Sequence, residues 1–259
     1  MSRETSVFEV LTVPCLSDNY AYILVGPGIA CLIDAPEAGP ILEVLEASDT
    51  ALTAILLTHH HSDHVDGVAE LRERYDCPVI GPKAEEHKLP ELDFALEEGI
   101  YADLPSVPKV QILHVPGHTL GHIAYYFGDA HAAFTGDSLM ALGCGRLFEG
   151  TPQMMWASMT KLMALPEDVV IYSGHEYTVA NAKFAQTIEP DNDALSERIA
   201  EIHALRRNGM PTAQASLAVE SATNPFLRAG LATVKTSLGL QDAPDAEVFA
   251  EIRKRKDRF

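Results

Sequence analysis

Residues that can bind metal ions are concentrated in one short segment of the sequence. The segment is THHHSDH at residues 58–64, directly after the apolar run LTAILL, and it contains His59, His61, Asp63 and His64. Imidazole and carboxylate groups are the side chains that bind divalent metal ions at neutral pH. A polar surface loop that happens to be rich in histidine is the alternative, but such clusters have a known use in metal binding. The segment therefore predicts a metal site without naming a reaction.

Local geometry divides this segment into two parts. Alternate side chains of an extended segment point the same way, so His59 and His61 can bind one ion. Asp63 and His64 follow where the chain changes direction, and they can face a second ion. His60 alternates with its neighbours and should point away from the first ion.

Three further candidate ligands share one placement, because each follows an apolar strand. They are His118 after VQILHVPG, Asp137 after AAFTG and His175 after VVIYSG. A lone histidine at a strand end is more often a satisfied polar residue, but the recurrence of the placement favours one sheet edge lined with ligands. We expect the first ion to be held by His59, His61 and His118, and the second by Asp63, His64 and His175. Asp137 would bridge them, since a carboxylate has two oxygens and an imidazole cannot bridge in this way.

This ligand set indicates the type of metal and of reaction. Neutral imidazoles with few carboxylates suit zinc, iron or manganese better than calcium or magnesium, and zinc is favoured. Two ions about 3.5–4 Å apart lower the pKa of a shared water and polarise a substrate oxygen. We therefore expect hydrolysis by a metal-bound hydroxide, with Asp63 and Asp137 as the catalytic carboxylates. No GxSxG serine motif competes with this interpretation. His122, four residues after His118, is expected at most to support a ligand.

Composition limits the partners and the compartment. The formal net charge of −18 disfavours nucleic acid as a general partner, and we expect none. No apolar run approaches the roughly 20 residues of a membrane span, and the first ten residues lack the apolar segment of a signal peptide. The scattered cysteines Cys15, Cys31, Cys77 and Cys144 favour a reducing compartment. We expect a cytoplasmic protein that does not bind membranes and is a monomer or a weak oligomer.

The periodicity of apolar residues predicts a mixed α/β region followed by helices. Strands are predicted at 7–13, 20–25, 30–34, 52–58, 77–81, 109–116, 122–127, 131–136 and 168–174. Helices are predicted at 40–47, 64–75, 152–164, 177–188, 193–207, 212–220 and 245–256. Residues 83–108 are weakly patterned and predict a short helix or two with a loop. Because no strand is predicted after His175, we place the domains at 1–174 and 175–259.

The end of the chain is basic on an otherwise acidic protein. Cations fill most of the last seven residues, as Arg253, Lys254, Arg255, Lys256 and Arg258. They suit the C-terminal end of a helix, where the macrodipole favours positive charge. They could also bind an anionic ligand. Charge alone favours the first interpretation and leaves the second open.

Several segments together resemble a known family. THHHSDH, PGHTLGH, FTGDSL and SGHEYT are signature segments of the metallo-β-lactamase superfamily, and their order resembles glyoxalase II, the hydroxyacylglutathione hydrolases. The resemblance extends to PCLSDNYAYIL, GCGRLFEGT, NPFLR and RKRKDRF, and so covers nearly the whole chain. It implies an αββα sandwich of two mixed sheets flanked by helices, with an all-helical C-terminal domain that binds glutathione. It also implies two metal ions and hydrolysis of S-D-lactoylglutathione to glutathione and D-lactate, the last step of methylglyoxal detoxification.

The same resemblance suggests which residues bind substrate. Arg253 and Lys256 match an arginine and a lysine that bind the glycine carboxylate of glutathione in glyoxalase II. Arg146 matches the basic residue of GCG(K/R), with a donor geometry that differs from lysine. Tyr177 matches the tyrosine of GHEYT. Phe148 stands where some members have a tyrosine, which removes one hydroxyl contact to glutathione.

Other functions on the same scaffold are the alternatives. A persulfide dioxygenase needs one redox-active iron with open positions, so a full second ligand set argues against it. A different thioesterase remains open, whereas a β-lactamase has no obvious use for the helical domain and the basic end. A non-catalytic metal-binding protein is disfavoured because all the expected ligands are present.

Overall fold

The structure is a computed structural model that describes residues 7–259. The expectation that the chain lacks a signal peptide rests partly on residues 1–6, which lie outside the described residues. The described chain forms two compact units. The first takes in the described residues up to His114 together with Gly121–Gly136, and the second comprises Val115–Leu120 and Asp137–Phe259. The proposed domain boundary between residues 174 and 175 stays a prediction.

A six-stranded mixed sheet lies in the first unit. Its strands, in the order in which they pair, are β1 (Glu9–Cys15), β2 (Asn19–Gly26), β3 (Ile29–Ile33), β4 (Ala54–Leu56), β5 (Val79–Pro82) and β6 (Phe94–Leu96). β1, β2 and β3 form an antiparallel meander close to the strands predicted at 7–13, 20–25 and 30–34, whereas β3 to β6 run parallel. β4 and β5 are buried along their whole length, as uninterrupted apolar runs predict.

Three helices of the first unit complete its core. They are α1 (Ala38–Ala47), α2 (Ser62–Val65) and α3 (Val68–Tyr75). Ile41 and Leu45 of α1 and Leu71 of α3 pack in one apolar cluster with residues of the sheet. The predicted helix over 64–75 is broken ahead of α3 at Gly67, whose N–H donates to the carbonyl oxygen of Ala35. A Cβ at Gly67 would lie 2.8 Å from a backbone carbon, so this close approach requires glycine.

The first unit also contains four further strands, which pair with one another and not with the sheet just described. They are β7 (Gly99–Tyr101), β8 (Val110–His114), β9 (Ile123–Phe127) and β10 (Ala132–Gly136), and they pair antiparallel in this order. The strands predicted at 122–127 and 131–136 are confirmed as β9 and β10, which form a hairpin. Residues 83–108 instead form a 3-10 helix over Lys83–Lys88 and the short strands β6 and β7, where one or two helices were predicted. Strands of three residues are too short to show an alternating pattern.

The second unit contains two short antiparallel pairs of strands. β11 (Leu139–Met140) pairs with β12 (Gly143–Cys144), and β13 (Val170–Ser173) pairs with β14 (Gln214–Ser216). β13 is the predicted strand that precedes His175. The prediction that no strand follows His175 is wrong, because β14 occupies the start of the segment predicted as a helix over 212–220. Pairing with β13, rather than a local pattern, defines this strand.

Helices make up most of the second unit. They are α4 (Pro152–Met163), α5 (Thr178–Ile188), α6 (Asp193–Arg207), α7 (Leu217–Thr223), α8 (Ala232–Leu238) and α9 (Asp245–Lys256). The predictions of α4, α5, α6 and α9 are confirmed, whereas α8 was not predicted. Thr151 and Asn192 cap α4 and α6 by accepting backbone N–H groups, as such residues commonly do. Among the helices of residues 7–259, none is long and apolar enough to cross a membrane.

Candidate metal centre and substrate-binding residues

In the first unit, a buried carboxylate orients one of the predicted ligands. Asp34 lies directly after β3 and is 2% exposed. Its Oδ2 is 2.8 Å from Nδ1 of the buried His64 and also accepts from the hydroxyl of Thr58, while its Oδ1 accepts the Thr58 N–H. A carboxylate next to Nδ1 favours a proton on that nitrogen, which leaves the lone pair of His64 on Nε2 for a metal ion.

His59 and His61 lie side by side, as their alternation predicts. Nε2 of His59 is 3.1 Å from Nδ1 of His61, close enough for both nitrogens to bind one ion. Nδ1 of His59 is 2.9 Å from the Thr58 hydroxyl. Because that hydroxyl donates to Asp34, it accepts from His59 and leaves the lone pair of His59 on Nε2. Asp34 therefore influences two predicted ligands through a single hydrogen-bond chain.

The other polar side chains of this segment are also held in place. Asp63 accepts hydrogen bonds from Nδ2 of Asn19, at 3.1 Å to its Oδ2 and 2.9 Å to its backbone oxygen. Nδ1 of His60 is 2.8 Å from Oε2 of the buried Glu85. The fully buried ring of His122 stacks on the ring of His59, with centroids 4.6 Å apart. This contact gives His122 a packing role beside a predicted ligand.

In the second unit, Asp137 contacts two of the predicted ligands. Its Oδ2 is 3.3 Å from Nε2 of His118 and 3.2 Å from Nε2 of His175. All three side chains are at least 90% buried. His118 was assigned to one ion and His175 to the other, so the carboxylate lies where a bridging ligand would be required.

The backbone near Arg146 orients His118. The carbonyl oxygen of Arg146 is 2.9 Å from Nδ1 of His118 and can only accept a hydrogen bond, so Nδ1 carries the proton and Nε2 the lone pair. Gly145 makes this arrangement possible, because a Cβ there would overlap the carbonyl oxygen of Asp137. The motif GCGR thus supports a ligand as well as supplying a cation.

Two exposed aromatic rings lie against the imidazoles of the second unit. Tyr177 stacks on His175 with centroids 4.8 Å apart and rings nearly parallel, and it is 40% exposed. Phe148 meets His118 edge-on at 5.2 Å and is 63% exposed. Both rings therefore present open faces next to predicted metal ligands, where a substrate can contact them.

The two basic residues predicted in α9 differ in their surroundings. Arg253 is 5% exposed, and its guanidinium donates to the Cys144 carbonyl oxygen and pairs with Asp257. Lys256 is only partly buried, and its ammonium lies 5.3 Å from the ring centre of Phe184. Burial, followed by the positive charges of Arg253 and Arg146, lowers the pKa of Lys256 to about 8. These cations therefore act on one another, as they would in a binding site for an anion.

The four cysteines carry no nucleophile at neutral pH. All are buried and none forms a disulfide bond. Burial raises the pKa of the Cys15 and Cys144 thiols to about 11 and that of Cys31 to about 12, and it also raises the pKa of Cys77. Since the thiolate is the reactive form, these side chains are inert at neutral pH.

The donor groups of each unit fit divalent metal ions. The first unit contributes His59, His61, Asp63 and His64, and the second contributes His118, Asp137 and His175. In three of the imidazoles Nδ1 faces an oxygen and leaves Nε2 for a metal ion, which is the usual support for a metal-binding histidine. The sequence analysis missed one member of this arrangement, Asp34. The sequence did contain a sign of Asp34, because it ends the apolar strand ACLID at 30–34, just as His118, Asp137 and His175 follow apolar strands.

Comparison with known protein families shows which family the chain belongs to. Residues 18–175 match the model of the metallo-beta-lactamase superfamily, and residues 176–259 match the model of the hydroxyacylglutathione hydrolase C-terminus. The chain is also 57% identical over 253 residues to the hydroxyacylglutathione hydrolase of Cereibacter sphaeroides, covering 97% of this chain and 99% of that relative. The chain belongs to the hydroxyacylglutathione hydrolase family. The family predicted from the signature segments is therefore confirmed.

Solved structures confirm the fold of this hydroxyacylglutathione hydrolase family member. The BLEG-1 B3 metallo-beta-lactamase superposes with a TM-score of 0.66 at 22% identity, covering 85% of this chain and 99% of that chain. A second structure, TTHA1623 in a di-iron-bound form, has a TM-score of 0.59 at 26% identity, covering 84% of this chain and 98% of that one. The predicted metallo-β-lactamase fold, with mixed sheets flanked by helices and a helical C-terminal region, is thus confirmed.

Proposed function

We propose that the protein is a metal-dependent hydroxyacylglutathione hydrolase that cleaves S-D-lactoylglutathione to glutathione and D-lactate, the last step of methylglyoxal detoxification. The observation that carries the proposal is the position of Asp137. Its Oδ2 contacts Nε2 of both His118 and His175. A carboxylate shared by imidazoles of both predicted ligand sets suits paired-metal hydrolysis. The match of the C-terminal residues to this family supports a glutathione thioester as the substrate.

The proposed centre holds two divalent ions, with zinc favoured and iron or manganese as alternatives. The ligands would be His59, His61, Asp63, His64, His118, Asp137 and His175. Neutral imidazoles outnumber carboxylates in this set, as is common for these metals. A relative of known structure was solved in a di-iron-bound form, which supports two ions in one centre.

The chemistry divides between the bound ions and the residues of the chain. When bound, the two ions would activate a water molecule and polarise the carbonyl oxygen of the thioester. Asp137, whose Oδ2 lies beside Nε2 of both His118 and His175, would serve with them as a ligand. Asp63, positioned by Asn19, would orient the attacking water as well as serving as a ligand. The departing thiolate is a good leaving group, so no side chain is required to protonate it.

The proposed glutathione site uses the cations and the aromatic ring of the second unit. Arg146, Arg253 and Lys256 would attract the carboxylates of glutathione, and Tyr177 would contact the substrate beside His175. Arg253 already donates to the Cys144 carbonyl and pairs with Asp257. We therefore assign it a structural role, together with a contribution to the positive charge that attracts glutathione. Lys256 would make the more direct contact with the glycine carboxylate, because it is less buried.

A comparison of two thioester substrates, one with glutathione and one without it, tests this proposal. We expect S-D-lactoylglutathione to be hydrolysed with a much higher kcat/KM than an otherwise similar thioester without glutathione. The physical reason is that the anionic tripeptide contributes binding energy away from the reacting carbonyl. Equal values of kcat/KM for the two thioesters would contradict the assignment of the cations to glutathione, whereas hydrolysis of neither would contradict the enzyme itself.

Lys256 should make substrate binding depend on pH. Below its pKa of about 8 the ammonium is charged and can bind a carboxylate, and above that pH it is neutral. We therefore expect KM for S-D-lactoylglutathione to rise as pH increases from 7 to 9. Lys256→Met should raise KM about 10- to 150-fold at pH 7, since a charge-assisted hydrogen bond is worth about 1.5–3 kcal/mol.

A neighbouring lysine provides the control for this prediction. Lys254 lies on the same helix, is exposed and pairs with Glu251. Lys254→Met removes the same charge and should leave KM and its pH dependence unchanged. If Lys256→Met kept the rise of KM between pH 7 and 9, the lysine would not be its source.

We also propose that the enzyme works in the cytoplasm. The four cysteines are buried thiols that form no disulfide bond, as is usual in a reducing compartment. The proposed thiol product, glutathione, is compatible with the same compartment.

A further inference from the structure

The hairpin of β11 and β12 connects two parts of the proposed metal centre. It begins two residues after Asp137 and ends two residues before Arg146, whose carbonyl oxygen orients His118. Gly145 N–H donates to the carbonyl oxygen of Ser138, which closes the base of the hairpin at 3.0 Å. A displacement of the hairpin would therefore move a ligand at one end and the support of another ligand at the other.

Two side chains from the C-terminal helical region satisfy the polar backbone groups of this hairpin. Nδ2 of Asn224 donates to the carbonyl oxygens of Met140, at 3.1 Å, and Gly143, at 3.0 Å. Oε2 of Glu220 accepts the N–H of Leu142 at 3.0 Å. These groups are buried and would otherwise need other hydrogen-bond partners. Side chains about 80 positions later in the sequence thus fix the turn.

Further contacts make the arrangement specific. Asn224 and Glu220 are 0% and 1% exposed, and Nδ2 of Asn224 also lies 3.0 Å from Oε2 of Glu220. The other oxygen of Glu220 pairs with the guanidinium of the buried Arg198. Asn181 adds a donor to the carbonyl oxygen of Ala141 at 3.0 Å. All of these groups lie in the second unit, and they form one connected polar network.

The conformation of the turn requires such outside support. Leu142 has a φ of 55°, a left-handed conformation that is unfavourable for a leucine. Its side chain is fully buried in a cluster with Ala182, Ala185 and Leu195 of the helices α5 and α6. The backbone is therefore held in an unfavourable conformation by contacts with the helical region, not by its own local preference.

We propose that Asn224 and Glu220 are positioning residues for the metal centre. By fixing the hairpin between Asp137 and Arg146, they keep the Asp137 side chain and the Arg146 carbonyl oxygen in place relative to each other. This inference rests on the proposed function in so far as Asp137 and His118 bind metal. It gives the C-terminal helical region a second task besides glutathione binding. Neither residue contacts a predicted ligand, so both act through the backbone of residues 138–146.

Asn224→Ala tests the inference by metal binding as well as by turnover. We expect the variant to bind Zn²⁺ about 10- to 100-fold more weakly in competition with a chromogenic chelator, as is typical when the support of a metal ligand is lost. We expect kcat for S-D-lactoylglutathione to fall by a similar factor, because the same ligands would hold the metal ions that act in turnover. Wild-type Zn²⁺ affinity and kcat in a folded Asn224→Ala protein would overturn the inference.

A matched asparagine separates positioning from general stability. Asn192 caps α6 and donates to the carbonyl oxygen of Ala222, with no bond to the hairpin. Asn192→Ala should lower Tm without changing Zn²⁺ affinity or kcat. An equal loss of Zn²⁺ affinity in both variants would overturn the specific role of Asn224.

A milder variant covers the case in which Asn224→Ala does not fold. Glu220→Gln keeps the size of the side chain but replaces one acceptor oxygen by a donor, and it should weaken Zn²⁺ binding in the same direction. Unchanged Zn²⁺ affinity in a folded Glu220→Gln protein would count against the inference. The metal measurement needs no substrate, so a wild-type protein that binds Zn²⁺ without cleaving the thioester would refute the proposed function and not this inference.

Discussion

Replacement of Asp137 by alanine should remove bound metal and thioester hydrolysis together, with kcat/KM for S-D-lactoylglutathione falling about 10³-fold or more. The reason is that one oxygen of this carboxylate contacts both His118 and His175, which lie 3.3 and 3.2 Å away. Its loss would leave two buried imidazoles without the anionic group between them. Metal content by mass spectrometry and kcat/KM should be measured on the same preparation.

An exposed aspartate offers the control for this variant. Asp129 lies in the turn between β9 and β10, where its side chain is exposed. Asp129→Ala should keep wild-type metal content and kcat/KM. Full turnover by Asp137→Ala would contradict the proposed mechanism, whatever the metal content of the variant.

Replacement of Asp34 should show that a residue outside the ligand set controls the metal centre. Asp34→Ala would leave the Thr58 N–H and Nδ1 of His64 without their buried acceptor, at a cost of about 1–3 kcal/mol for each group. We therefore expect a lower free energy of unfolding and about 10- to 100-fold weaker Zn²⁺ binding. Denaturant unfolding and chelator competition measure the two effects separately.

Asp34→Asn separates the two consequences of this substitution. The amide oxygen can still accept the Thr58 N–H, while the amide nitrogen would face Nδ1 of His64 and donate to it. The proton of His64 would then move to Nε2, where it blocks metal binding. We expect most of the stability to return but not the Zn²⁺ affinity, with the exposed Asp103→Ala as a control. Recovery of both properties in Asp34→Asn would contradict this role of the carboxylate.

The sequence was sufficient to single out the candidate metal ligands because their signal is local. His and Asp residues at the ends of apolar runs mark a sheet edge, and the alternation of His59 and His61 places their nitrogens 3.1 Å apart. Asp34 occupies the same type of position after β3, yet a single aspartate without neighbouring histidines gives no such signal. Its function depends on Thr58 and His64, which are distant in the sequence and become neighbours only in the fold.

Short elements and long-range contacts were not predictable in the same way. β14 is defined by pairing with β13, and its three residues show no periodicity. The hairpin of β11 and β12 depends on hydrogen bonds from Asn224 and Glu220, which no local pattern relates to it. The burial of Arg253 could not be inferred either, because a basic residue near the end of an amphipathic helix is usually exposed.

The most direct test of the central claim is a metal titration of the wild-type enzyme. Protein freed of metal with a chelator should be mixed with increasing amounts of Zn²⁺, and the initial rate of S-D-lactoylglutathione hydrolysis measured at each ratio. If two ions act together, the metal-free protein is inactive and the rate rises until about two equivalents are bound per chain. Full activity in the metal-free protein, or a maximum already reached at one equivalent, would contradict a two-metal hydroxyacylglutathione hydrolase.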